Sequence, residues 1–131
     1  MSETNASCMA VLDAERRKRE LVEQGYRIFE ISDPEDAESF FCSAKQNLPL
    51  DPPLTGRVHW DAFRDSLYYG LSALSDQKIA IVVANASSLM KSSRESFDIA
   101  LACLRDASAE AERDRRADGE ADVNIAVVIG V

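Results

Sequence analysis

Two aspartates, Asp61 and Asp65, stand four residues apart and just beyond the only histidine of the chain, His59. On a helix that spacing stacks both carboxylates on one face. Three kinds of chemistry could use such a group. A carboxylate pair can divide acid and base roles, but only in a pocket that splits the two pKa values. Carboxylates and a histidine can hold a metal ion if further ligands converge from elsewhere. An exposed acidic ridge can instead receive the Arg and Lys side chains of a protein partner, where close charge pairs are strong. The plainer alternative is a solvated helix face, and spacing alone favours it.

The rest of the chain offers little to an enzyme. No G-x-G-x-x-G or Walker loop follows an apolar run, and the five glycines do not cluster. His59 has no Cys or Ser nucleophile elbow to serve, and a lone His at a helix start reads as a cap or surface residue. The three cysteines, Cys8, Cys42 and Cys103, are far apart and odd in number, with no C-x-x-C pair. They read as small buried or half-buried thiols, not as a zinc site or disulfide framework. The expectation is a non-enzyme without cofactor or metal.

A net charge of −8 on 131 residues repels nucleic acid, which binds clustered Lys and Arg. The same field would speed capture of a basic partner; the bland alternative is that it only keeps the protein soluble. The length suits one domain, and 46% hydrophobic with 29% charged residues is globular composition. No apolar run approaches the roughly 20 residues of a membrane helix. The N-terminal residues place charge after a short apolar stretch, the reverse of a secretory leader. The chain is therefore expected to be cytoplasmic, without membrane contact.

The elements that must position these residues follow from periodicity. Residues 1–8 are read as frayed, and Met9–Gln24 as a helix capped by Asn5 or Ser7 and stopped by Gly25. Its run Arg16-Arg17-Lys18-Arg19 reads as a solvated face. Tyr26–Ile31 reads as a strand. Asp33 and Pro34 open a helix that runs to about Asn47. Residues 48–57 hold three prolines and one glycine and read as a loop. Val58–Leu74 reads as a helix with Trp60, Phe63, Leu67, Leu71 and Leu74 inward, and with an end or bend at Gly70. Lys78–Ala84 is a continuous β-branched run, the mark of a strand buried on both faces. Asn85–Met90 reads as a loop. Ser92 and Glu95 form a capping box for a helix with Phe97, Ala100, Leu101 and Leu104 inward. That helix is read as dissolving in the polar run Ala109–Asp122. Val123–Val131 closes the chain as a strand. Strands separated by helices imply parallel pairing. The fold class is α/β, a three-stranded parallel sheet packed with helices. Residues 1–25 form an N-terminal tail and extra helix, and residues 26–131 form the domain.

The stretch His59-Trp60-Asp61-Ala62-Phe63-Arg64-Asp65-Ser66-Leu67 resembles the acidic helix of the barstar family. The strand KIAIVVA, the helix ending near Leu104-Arg105-Asp106-Ala107 and the terminal VNIAVVIG continue the resemblance over about residues 26–131. It implies an intracellular inhibitor, or immunity protein, that blocks the basic active site of a ribonuclease toxin. In that family an acidic helix and the loop before it enter the cleft. Asp65 would match the dominant acidic anchor, Asp61 its neighbour one turn earlier, and Asp106 a contact on the later helix. Gly56 would correspond to a glycine of the family's loop after a one-residue shift. Arg64 stands where the family has Trp, and His59 where it has Asn. Here the loop lacks the family's aromatic residues. The candidate partner-binding set is Asp61, Asp65, Arg64, Asp106, Gly56 and Tyr68. The partner would be a basic nuclease of a bacterial toxin–antitoxin pair. The alternative is a non-catalytic regulatory or oligomeric interaction module, in which the N-terminal helix covers a sheet edge or mediates self-association. A third reading is a small enzyme using His59 with Asp61 or Asp65.

Overall fold

A computed structural model describes residues 8–131. The expected caps Asn5 and Ser7, and fraying over residues 1–7, lie outside the described residues. In chain order the elements are β1 (Cys8–Met9), α1 (Val11–Glu23), β2 (Arg27–Ile31), α2 (Ala37–Asn47), α3 (Trp60–Ala73), β3 (Lys78–Val83), α4 (Ser87–Ser92), α5 (Arg94–Ala117) and β4 (Asn124–Gly130). The sheet is wholly parallel, in the order β1-β4-β3-β2.

The sheet has four strands where three were expected. The fourth, β1, is two residues long, too short for any periodicity to reveal. It exists because Cys8 and Met9 pair with Ile129 and Gly130. Val131 N donates to Met9 O at 2.8 Å, which keeps Met9 out of the helix expected to start there.

Both sheet faces are covered, which explains the unbroken apolar run of β3. Ile79, Ile81 and Val83 face the main core, with Phe40, Phe63, Leu67 and Leu104 of the helices. Ala80 and Val82 face the other way, toward Ala14 and Leu21 of α1. The N-terminal helix thus covers a face of the sheet and not the edge suggested from sequence. Gly130 permits the approach: a Cβ there would lie 2.3 Å from Ala84 O and 3.0 Å from Ala14 Cβ.

Several element ends differ from the sequence reading, each for a local reason. Asp36, not Asp33, caps α2, in a reciprocal box with Ser39: Ser39 N donates to Asp36 Oδ1 at 2.8 Å and Asp36 N to Ser39 Oγ at 3.1 Å. Asp33 turns the chain at a φ of 30°. Helix α4 begins inside the segment read as the loop Asn85–Met90 and runs on to Ser92, with Leu89 buried. Ser92 ends α4, so Ser93 caps α5 by accepting from Ser96 N at 3.1 Å. Helix α5 does not dissolve at Ala109 but runs to Ala117. Ala107, Ala111 and Arg115 extend its buried stripe by steps of four. Arg115 is 2% exposed. It donates to Leu71 O at 3.4 Å and Asp76 O at 2.7 Å, and its Nη2 meets Glu120 Oε1 at 2.6 Å.

Candidate functional site: the α3–α5 seam

Helix α3 begins because His59 supplies the cap: its Nδ1 accepts from Ala62 N at 3.1 Å. Its inner face is the stripe expected from spacing. Phe63, Leu67 and Leu71 are fully buried. Trp60 is half-buried against Phe40, Phe41 and Phe63, with ring centroids 4.9–6.2 Å away. That register turns Asp61 and Asp65 to solvent.

One flank of α3 carries the loop of residues 48–59. Asp51 N donates to Ser66 O at 3.0 Å, and Ser66 Oγ donates to Pro52 O. The loop comes so close that only glycine fits at position 70, and α3 runs through Gly70 without ending there. Gly56 has a φ of 82° with open space around it. Together with Arg57 and Val58 it lines a depression against Glu38, Phe41, Cys42 and Lys45 on α2. None of Asp61, Asp65 and Asp106 lines that depression.

The opposite flank of α3 meets α5, and here the polar residues converge. Arg64 Nη2 donates to Glu110 Oε1 at 2.6 Å, and Arg64 Nη1 reaches Asp65 Oδ1 at 3.5 Å. The Glu110 hydrogen bond is the main cause that raises the Arg64 pKa; the charges of Glu110, Asp106 and Asp65 add to it. One turn further, Tyr68 OH donates to Asp114 Oδ2 at 2.5 Å. That bond raises the Tyr68 pKa and lowers that of Asp114. Arg113 completes the cluster, 3.7 Å from Glu110 and 3.4 Å from Asp114. Asp106 is exposed and lines a depression with Arg64, Ala109, Glu110 and Arg113.

Cys103 lies beneath this surface, its Sγ 3.7 Å from Trp60 O. Its thiol is pushed up to about 11, by burial first and then by the fields of Asp106 and Asp61. Carboxylates from both helices therefore bear on one spot. Asp61, Asp65, Asp106, Glu110 and Asp114 against Arg64 and Arg113 leave the seam with a surplus of three negative charges. It presents carboxylates to solvent from two packed helices.

Of the six residues named from sequence, Asp61, Asp65, Arg64, Asp106 and Tyr68 meet along this seam, and Gly56 sits against α2. Sequence reading missed Glu110, Asp114 and Tyr69. The first two were hidden by the supposed end of α5 at Ala109, although residues 106, 110 and 114 keep a four-residue step. Tyr69 is 58% exposed and stacks edge-on against Tyr68 at 5.1 Å. It stands one turn beyond Asp65, so residues 61, 65 and 69 form an outward stripe. Among the described residues no cluster of His, Cys, Asp and Glu is arranged to hold a metal ion, and no helix is long and apolar enough to cross a membrane.

No match is found among curated proteins or among solved structures. The family described as Barstar (barnase inhibitor) matches residues 26–127. The match begins after α1 and takes in the loop, the whole α3–α5 seam and most of β4. With that span matched, the chain belongs to the Barstar family.

Proposed function

We propose that this protein is an inhibitor of a ribonuclease, acting as the immunity partner of a nuclease toxin in the cytoplasm. One observation carries the reading: in a chain of a family described as barnase inhibitor, Asp61 and Asp65 project from a rigid helix beside Asp106, on a surface of net negative charge. A ribonuclease must bind RNA phosphates with Arg and Lys. Carboxylates held at the right spacing occupy those sites through charge-assisted hydrogen bonds and exclude the substrate competitively. The net charge of −8 hastens the encounter. Tyr69 supplies the rigid, amphipathic contact area on which interface hot spots draw. Catalysis by this chain is not part of the reading. His59 Nδ1 accepts from Ala62 N, so its lone pair is engaged in capping α3.

The test is inhibition of RNA cleavage by barnase, with binding followed by calorimetry. Asp65→Ala is expected to weaken binding by roughly 2–5 kcal/mol and leave the unfolding midpoint unchanged. This range belongs to buried interfacial charge pairs in general, the barnase–barstar complex among them, and does not come from this structure. Tyr69→Ala is expected to weaken binding by about 1–2 kcal/mol, again without loss of stability. Equal binding by wild type and an Asp61→Ala/Asp65→Ala double variant would remove the site.

A second reading, a regulatory or oligomeric module, draws on α1. Leu12 is 71% and Val22 53% exposed there, among the described residues the large apolar side chains most open to solvent apart from Tyr69. Capture of barnase by the wild type, lost in the double variant, favours inhibition. Concentration-dependent self-association without barnase binding favours the module.

A further inference from the structure

Arg64 is the residue of the seam that fits the proposed function worst. A cation in the middle of an acidic contact surface opposes a basic cleft. The geometry points to a different role. We infer that Arg64 is a positioning residue: its guanidinium ties α3 to α5 through Glu110 and steadies Asp65, and it does not itself contact the nuclease. The inference rests on the inhibitor reading and gives one of its residues a task.

Three observations support it. First, Arg64 already has its partners. Glu110 lies at 2.6 Å and Asp65 at 3.5 Å, on opposite sides of the fork. Two of its five N–H groups are engaged within the molecule, one on each terminal nitrogen, and those contacts fix where the guanidinium points. Second, Arg64 and Glu110 are 35% and 33% exposed, whereas Asp65 is 67% exposed. The pair sits back in the seam, and the carboxylate it steadies stands forward. Third, the tie is one of a set. Tyr68 meets Asp114 across the same two helices, and both pairs are 46 residues apart in the chain. Trp60 O meets Cys103 one turn earlier. The helices therefore run in the same direction, and each turn of α3 has its own link to α5. Within that register Arg64 is the link beside Asp65, as Trp60 is the link beside Asp61.

The arrangement has two consequences. The charge of Arg64 is offset by Glu110 within the molecule, so the forward carboxylates remain available. The cost of ordering Asp65 is met before the partner arrives, which raises affinity without a new contact.

The test uses a difference of sign. If Arg64 were only a misplaced positive charge, Arg64→Met would relieve repulsion and tighten binding to barnase. If it positions Asp65, the same change weakens binding, by about three- to fivefold for a half-exposed pair. Glu110→Gln is expected to weaken binding under either view. The double variant separates the two. For a positioning pair, Arg64→Met/Glu110→Gln is no worse than Arg64→Met, because the link is already gone; independent charges would add. Unfolding curves for each variant exclude simple loss of fold. A second measurement needs no partner: the guanidinium NMR signals of Arg64. Distinct, slowly rotating Nη signals in the wild type that average in Glu110→Gln show the tie. Averaged signals in the wild type overturn it, as does tighter binding by Arg64→Met. If the wild type does not bind barnase at all, the inhibitor reading fails with that enzyme, and the guanidinium signals alone decide the tie.

Discussion

Gly70→Ala sets helix propensity against tertiary packing, and the two give opposite signs. Gly70 lies inside α3, where glycine costs about 1 kcal/mol relative to alanine. Propensity alone therefore predicts a gain of that size. The structure predicts a loss. A Cβ on residue 70 would lie 1.4 Å from Pro49 O and 2.6 Å from Pro49 C. Both atoms are backbone, so no side chain can swing aside, and the loop must leave the helix. Overpacking of this kind costs about 1–3 kcal/mol. Retreat of the loop also breaks the Asp51 N–Ser66 O and Ser66 Oγ–Pro52 O hydrogen bonds, about 1 kcal/mol each. Against the propensity gain, the net destabilisation is about 2–4 kcal/mol. For a domain of this size that lowers the melting midpoint by roughly 10 °C. Urea unfolding should show a lower midpoint with unchanged slope. In the Gly70→Ala background, Ser66→Ala should cost little more, since its bonds are already broken. A Gly70→Ala protein as stable as the wild type would refute the docking of residues 49–52 on α3, and with it the path of the chain into the His59 cap.

Two further predictions concern groups beneath the seam. The Cys103 thiol, raised from its ordinary 9.0 to about 11 by burial, should resist iodoacetamide at pH 8 while the exposed Cys42 reacts. Because the folded-state value is raised, the associated stability is full below pH 9 and is lost as the pH rises through about 11. Its upper bound is roughly 3 kcal/mol, and Cys103→Ala should flatten the profile in that window. Equal labelling of the two thiols in the folded protein would contradict the burial argument. Arg115→Met should destabilise by roughly 2–4 kcal/mol, because it leaves Leu71 O, Asp76 O and Glu120 without their donor. A loss below 1 kcal/mol in urea unfolding would mean that water replaces the guanidinium there.

The sequence by itself determined whatever depends on neighbours along the chain. Alternating strands and helices implied a parallel sheet. The run Lys78–Val83 announced a strand buried on both faces. The stripe from Trp60 to Leu71 set the register of α3, and the register made Asp61 and Asp65 exposed. Tertiary structure decided what depends on segments that meet in space. The two residues of β1 carry no periodic signal and are a strand only because β4 lies beside them. Helix α1 was visible, but the sheet face it covers was not. Gly70 read as a weak point of a helix until Pro49 was found against it. Polar residues 109–117 read as an end because charge suggests solvent; Ala111 and the satisfied Arg115 keep that helix packed. Glu110 and Asp114 belong to the seam for the same reason. Arg64 shows the limit most plainly: its type and position could be read from the chain, but its partner stands 46 residues away on another helix, and only the packing of α3 on α5 brings the two charges together.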